Sequence, residues 1–184
     1  MKLLNEDFKT NKIDGDELIH RILRDNKGVY ATLQKEFGND IFDDKKDLNK
    51  KFIQETVLPR EPIRKKLASI LEVPLVKELL KEAFRITKND KGVIAFDAPQ
   101  LFDFKILPWM CYPTITIFNT ETALPVKRVA ERDNISLSEA SKLVSAPQGL
   151  IGRMLKRADI QINNDGDMNA LKYKLVNELA SFLL

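Results

Sequence analysis

Val93-Ile94-Ala95-Phe96-Asp97-Ala98-Pro99-Gln100-Leu101-Phe102-Asp103 is the stretch that decides the fold. Four apolar residues run into an aspartate, and Pro99 then ends the run by removing a backbone donor. Val93 to Phe96 is therefore predicted to be a short buried strand that ends at a carboxylate. Three other segments have the same form: Phe8 to Ile13, Thr114 to Phe118 and Ile160 to Ile162. They lead into Asp14-Gly15-Asp16-Glu17, Asn119-Thr120 and Asn163-Asn164-Asp165-Gly166 respectively. Between them the apolar residues recur with helical spacing. Leu18, Ile19, Ile22 and Leu23 define one face, Leu75, Leu79, Leu80 and Ala83 a second, and Leu171, Leu175, Val176 and Leu179 a third. Strands separated by helices need crossover connections, which imply a parallel sheet covered on both faces. Residues 29–87 carry no strand signal and read as a helical excursion between the first two strands. The predicted class is α/β.

Composition sets the bounds. With 184 residues, 43% of them apolar, the chain is expected to fold as a single domain around one core. Thirty basic and 27 acidic side chains leave a formal charge of +3. That near-balance argues against a surface for coating a nucleic acid. Cys111 is the only cysteine, which excludes an internal disulfide and fits a reducing compartment. No 18-residue apolar run and no signal pattern at Met1 occur. The expectation is a soluble cytoplasmic protein with neither nucleic acid nor membrane as a partner.

In a parallel sheet, ligands bind beyond the carboxyl ends of the strands. Asp14, Asp16 and Asp97 occupy such ends, and carboxylates there suit Mg²⁺ or a hydroxyl that must lose a proton. A plainer account stands beside this one. Asp14 and Glu17 have capping-box spacing, either Asp14 or Asp16 can cap the next helix, and Asp97 before Ala-Pro can start a turn. Arg128 and Arg132, like Arg153 and Arg157, are spaced to share a helix face and to clamp phosphoryl groups. A solvated face paired to Glu131, Asp133 or Asp159 fits the same spacing. His20, the single histidine, reads as a surface or packing residue rather than a base. Lys45-Lys46 and Lys50-Lys51 read as solvated, and Ile106 to Tyr112 as a loop packed on the core.

Taken in order, these elements resemble the dephospho-CoA kinase family. Ile13-Asp14-Gly15-Asp16 looks like its Ile-Asp-Ala-Asp element, with glycine for alanine. Phe37-Gly38-Asn39-Asp40-Ile41 resembles its Phe-Gly-x-x-Ile segment, and Leu48-Asn49-Lys50 its Leu-Asn/Asp-Arg step. Asp97 to Asp103 matches most of Asp-x-Pro-Leu-Leu-Phe-Glu. Arg128 through Asp133 looks like the Arg-x-x-x-Arg-Asp start of the lid, followed by Ser138-Glu139-Ala140. Ala158-Asp159, Ile162, Asn164 and Gly166 follow the closing Ala-Asp-x-x-Ile-x-Asn-x-Gly pattern.

The resemblance implies a P-loop-kinase-like three-layer α/β/α fold with a helical substrate lobe and a lid. Residues 8–28 and 88–124 would form the sheet core, 29–87 the substrate lobe and 125–158 the lid. Residues 159–184 would supply the last strand and the C-terminal helix. The implied reaction moves the γ-phosphoryl group of ATP, with Mg²⁺, to the ribose 3′-hydroxyl of dephospho-CoA. Asp16 would orient or deprotonate that hydroxyl, and Arg132 would reach the ATP phosphates. Arg128 and Arg157 would assist, and Asn164 and Gly166 would border adenine. Asp97 would support Mg²⁺ through water, while Asp14, Pro99, Leu101 and Phe102 would contact the acceptor.

The family also carries a Gly-x-x-x-x-Gly-Lys-Ser/Thr loop on its first, central strand, about one helix ahead of the Asp-x-Asp element. The 184 residues contain no such motif. The backbone N–H groups and lysine of that loop cradle the phosphates, and its hydroxyl holds Mg²⁺. The chain therefore reads as a truncated, inactive form whose sheet lacks that central strand. Two alternatives stay open: a non-catalytic module that binds CoA, dephospho-CoA or a partner, and a kinase of another nucleotide-like acceptor. Smaller departures from the family are Val73 for histidine, Pro125 for glutamine, Lys50 for arginine and Asp103 for glutamate.

Overall fold

In the computed structural model, which describes residues 10–89, 92–145 and 148–183, all four expected strands form. Phe8 and Lys9 of the first predicted strand, and Pro147 of the predicted lid, lie outside the described residues. The chain divides into two compact units, Met1–Cys111 and Tyr112–Leu184. The fold is α/β, and both sheets are two-stranded and parallel.

In the first unit, β1 (Asn11–Asp14) leads directly into α1 (Gly15–Asp25), and α2 (Lys27–Phe37) follows. Asn26 makes this tight corner. Its backbone N–H caps the end of α1, and its side chain accepts from Gly28 and Val29 to start α2. Gly38 then ends α2 at φ +79°, a conformation that costs glycine nothing. A short helix, α3 (Lys50–Phe52), precedes a single wide turn (Ile53–Val57), and α4 (Glu61–Asn89) returns to β2 (Ile94–Asp97). Residues 29–87 thus form helices joined by turns, with one isolated bridge between Phe42 and Leu48. β2 lies parallel to β1 in the register Asn11↔Ile94 through Asp14↔Asp97.

The core of this unit joins Ile13 of β1 and Leu18, Ile22 and Leu23 of α1 to the buried stripe of α4. That stripe is Leu67, Ala68, Leu71, Leu75 and Leu79, at spacings of three and four. Each such side chain contributes ~1.5–3 kcal/mol when fully buried. Leu80, expected on the same face, is 54% exposed, because one residue past Leu79 is a rotation of about 100° off the stripe.

The Ile106–Tyr112 segment also departs from expectation. Leu107 of α5 (Leu107–Met110) is fully buried, but Trp109 is 90% and Tyr112 77% exposed. A single apolar anchor suffices to seat a four-residue helix, which leaves its other side chains in solvent.

The second unit runs from β3 (Ile115–Phe118) through α6 (Ala123–Asp133), α7 (Leu137–Ser145) and α8 (Gln148–Leu155) to β4 (Ile160–Asn163) and α9 (Met168–Leu183). β3 and β4 pair in the register Ile115↔Ile160 through Phe118↔Asn163. Thr114 and Asp159 clip the entry to both strands. Thr114 donates from its N–H (2.8 Å) and hydroxyl (2.6 Å) to the Asp159 carboxylate, and the Asp159 N–H returns a bond of 3.1 Å. Among the described residues no helix is long and apolar enough to cross a membrane.

Candidate functional site

The β1–β2 register places Asp14 beside Asp97, so the parallel pairing itself brings two strand-end carboxylates together. Lys12, two residues back on β1 and so on the same face as Asp14, lies between them. Its ammonium is 2.6 Å from Asp14 and 3.7 Å from Asp97. Asp14 caps α1 by accepting from the Asp16 N–H at 3.0 Å. The hydrogen bond from Lys12 draws the Asp14 carboxyl below the ordinary range, while the Lys12 ammonium is pushed up. Gly15 makes the close approach possible, since a Cβ there would stand 2.8 Å from the Asp97 carbonyl oxygen.

Asp16, in the first turn of α1, lines a cavity of about 470 Å³ within this unit. Partial desolvation, followed by repulsion from Asp14 and Asp97, raises its carboxyl above the ordinary value, and Lys50 and Lys12 oppose the shift. Neutral-pH bases among carboxylates are tuned in this direction. Ile19, Leu23, Leu67, Leu71, Leu75 and Phe104 supply an apolar wall, and His20, Asp47, Lys50, Gln54 and Gln100 add polar groups.

Long-range bonds hold that wall. Arg64, 2% exposed on α4, donates from Nε to Asp103 at 3.0 Å and from Nη1 to the Leu58 carbonyl. Among the described residues its Nη2 has no hydrogen-bond partner. Glu72, buried two turns further along α4, accepts the backbone N–H groups of Lys105 and Ile106. The two α4 side chains thus hold the segment after β2 at Asp103 and at Lys105–Ile106.

Of the residues singled out from the sequence, Asp16 and Pro99 line the cavity, with Asp14 and Asp97 one register step away. Leu101 packs against the core. Leu101 and Phe102 lie in a short 3₁₀ turn (Leu101–Asp103) and are not part of the cavity lining. Lys50 is exposed, as expected, and also lines the cavity from the first position of α3, behind the Asn49 cap. Lys12, Arg64 and Glu72 escaped the sequence reading. Only the β-strand alternation that puts Lys12 and Asp14 on one face was available as a signal.

In the second unit, Arg128 is committed to backbone. Nη1 donates to the Asn164 carbonyl at 2.8 Å and Nη2 to that of Gly166. The loop is held further by Asp165, which accepts from Thr120, Asn119 and Asn163 and is driven well below the usual carboxylate range by those bonds. Gly166 is required for packing, as a Cβ there would lie 2.8 Å from that of Ala170. Arg132 makes a two-point pair with Asp133 at 2.7 and 2.8 Å. Arg153 lies in α8, but that helix ends at Leu155, so Arg157 falls beyond it and the two arginines do not share a helical face.

Comparison with known proteins agrees with this architecture. A family model described as dephospho-CoA kinase matches residues 2–170. A dephospho-CoA kinase of Fusobacterium nucleatum is 29% identical over 164 residues, covering 89% of this chain and 82% of that protein. One from Geobacillus kaustophilus is 24% identical, again over 164 residues, covering 89% and 80%. The solved dephospho-CoA kinase of Campylobacter jejuni shares the fold at a TM-score of 0.56 and 20% identity, over 98% of this chain and 88% of that one. On the strength of the match across residues 2–170, this chain belongs to the dephospho-CoA kinase family.

Proposed function

We propose that the chain carries the acceptor side of a dephospho-CoA kinase, and that the cavity at the head of α1 receives dephospho-CoA. The observation that carries this reading is Asp16, whose carboxyl is raised beside Asp14 and Asp97 where the first unit opens its apolar cavity. Asp16 accepts the ribose 3′-hydroxyl proton or fixes its direction, because phosphoryl transfer depends chiefly on positioning and charge.

Asp16 and Asp97 offer hard oxygen donors that suit Mg²⁺ through water, with Lys12 sharing the load on Asp97. Bound there, the ion would neutralise phosphoryl charge. In the second unit Arg132 is the candidate for the ATP phosphates, with Arg157, beyond α8, as a second. Arg128 instead shapes the Asn164–Gly166 loop proposed to border adenine.

Because the 184 residues contain no Gly-x-x-x-x-Gly-Lys-Ser/Thr loop, this polypeptide assayed alone is expected to bind dephospho-CoA without transferring phosphate. Calorimetry with dephospho-CoA and AMP, together with an ATP-dependent assay of CoA formation, tests both parts. Binding of dephospho-CoA with no turnover is the expected result. Tighter binding of AMP would overturn the substrate assignment. CoA formation at the rate of a complete family enzyme would overturn the non-catalytic reading.

A further inference from the structure

His20 lies one helical turn beyond Asp16 on α1, and both line the cavity. An i, i+4 pair on a helix is displaced by about 6 Å along the axis and shares one face. The His20 ring is held from outside its own helix by a hydrogen bond between Nδ1 and the carboxylate of Asp47. Asp47 is itself placed by a tight loop. The Asp43 carboxylate accepts from the N–H groups of Lys45 (2.9 Å) and Asp47 (3.0 Å), and Lys46 takes the left-handed conformation between them. With Nδ1–H directed to Asp47, the other ring nitrogen is the one left for a ligand, which is how a carboxylate fixes an imidazole for use. Lys50 lines the same cavity, and its ammonium makes no hydrogen bond or ion pair among the described residues.

We propose that His20 and Lys50 form a diphosphate subsite that sets the direction in which the acceptor lies. This inference rests on the reading that Asp16 faces the ribose 3′-hydroxyl. In one ribose, the 3′-oxygen and the 5′-phosphate are separated by the ring and one methylene, a span that one helical turn matches. With the 3′-hydroxyl at Asp16, the 5′-diphosphate falls at His20 and Lys50. The aliphatic arm beyond the diphosphate then continues over Leu23, Leu71 and Leu75. Asp47 is the positioning residue that keeps the imidazole aimed.

His20 is the chain's only histidine, so an imidazole ¹H–¹⁵N spectrum contains its signals alone. Titrating the 184-residue chain with dephospho-CoA is expected to shift the His20 Nε2 resonance, and titrating with adenosine, which lacks the diphosphate, is not. By calorimetry, His20→Ala and Lys50→Ala should each weaken dephospho-CoA binding by about tenfold, the scale of one charge-assisted hydrogen bond. His20→Arg should retain most of the affinity. If wild-type chain binds dephospho-CoA while Nε2 stays unmoved and His20→Ala changes affinity by less than threefold, the subsite is refuted and the acceptor reading survives. If wild-type chain does not bind dephospho-CoA at all, the acceptor reading falls and takes the subsite with it.

Discussion

Asp103→Glu should stabilise this protein, although it enlarges a side chain packed against a buried one. Arg64 is 1% and Asp103 15% exposed at the side chain, and they meet through one bond of 3.0 Å from Nε. The adjacent Nη2 is buried without a partner among the described residues. A buried donor left unmade costs ~1–3 kcal/mol. One added methylene lets a carboxylate reach both Nε and Nη2 in the two-point geometry that guanidinium favours. After the cost of ordering a longer side chain, a gain of about 1 kcal/mol remains. In a chain of this size that corresponds to a rise in Tm of roughly 2–4 °C. Asp103→Ala should do the reverse, because it leaves a buried guanidinium with the Leu58 carbonyl alone. Breaking a buried pair from one side costs ~3–5 kcal/mol. Thermal melts followed by far-ultraviolet circular dichroism read both variants. The reasoning fails if Asp103→Ala melts within 2 °C of wild type, or if Asp103→Glu is as destabilised as Asp103→Ala.

Three further outcomes follow from the same geometry. Asp16→Asn should raise Tm at pH 7, because the folded-state pKa of Asp16 lies above its ordinary 3.8 and stability drops as pH climbs through the raised value. The advantage should vanish below about pH 3, where both states are protonated, and melts at the two pH values decide it. Gly15→Ala puts a methyl 2.8 Å from the Asp97 carbonyl oxygen, so it should cost ~1–3 kcal/mol in urea unfolding and weaken dephospho-CoA binding. Unchanged affinity would show that the β1–β2 end does not shape the cavity. Arg128→Met removes both guanidinium bonds to the Asn164 and Gly166 carbonyls, and amide exchange at residues 164–167 should accelerate at least tenfold while the first unit is unaffected.

The strands were legible because β-branched and aromatic runs stop at turn-forming residues: β2, β3 and β4 lie within one residue of their predicted bounds, and β1 ends one residue past Ile13. Most of the helical faces were legible because burial follows the 3.6-residue period. Leu80 shows the limit of that reasoning, since two adjacent leucines in one helix cannot both face the same neighbour. What stayed hidden is long-range. Arg64 meets Asp103 across 39 positions and Glu72 meets Lys105 across 33, and neither pair leaves a local pattern. Lys50 and Lys51 look alike in sequence and both are exposed, and only the folded chain shows that Lys50 also lines the cavity. The capping role of Asp14 and its place beside Asp97 were competing readings of the sequence. The structure places one side chain in both settings, because the strand end and the helix start coincide.

Trp109 has a practical consequence. It is the sole tryptophan and is 90% exposed, so its indole is bathed in solvent while the chain is folded and again when it is unfolded. Its emission should therefore sit at the red, aqueous wavelength throughout denaturation and give almost no folding signal. The same silence makes it a clean reporter of contact. Any molecule that covers the α5 surface should move the fluorescence maximum to the blue without disturbing the core.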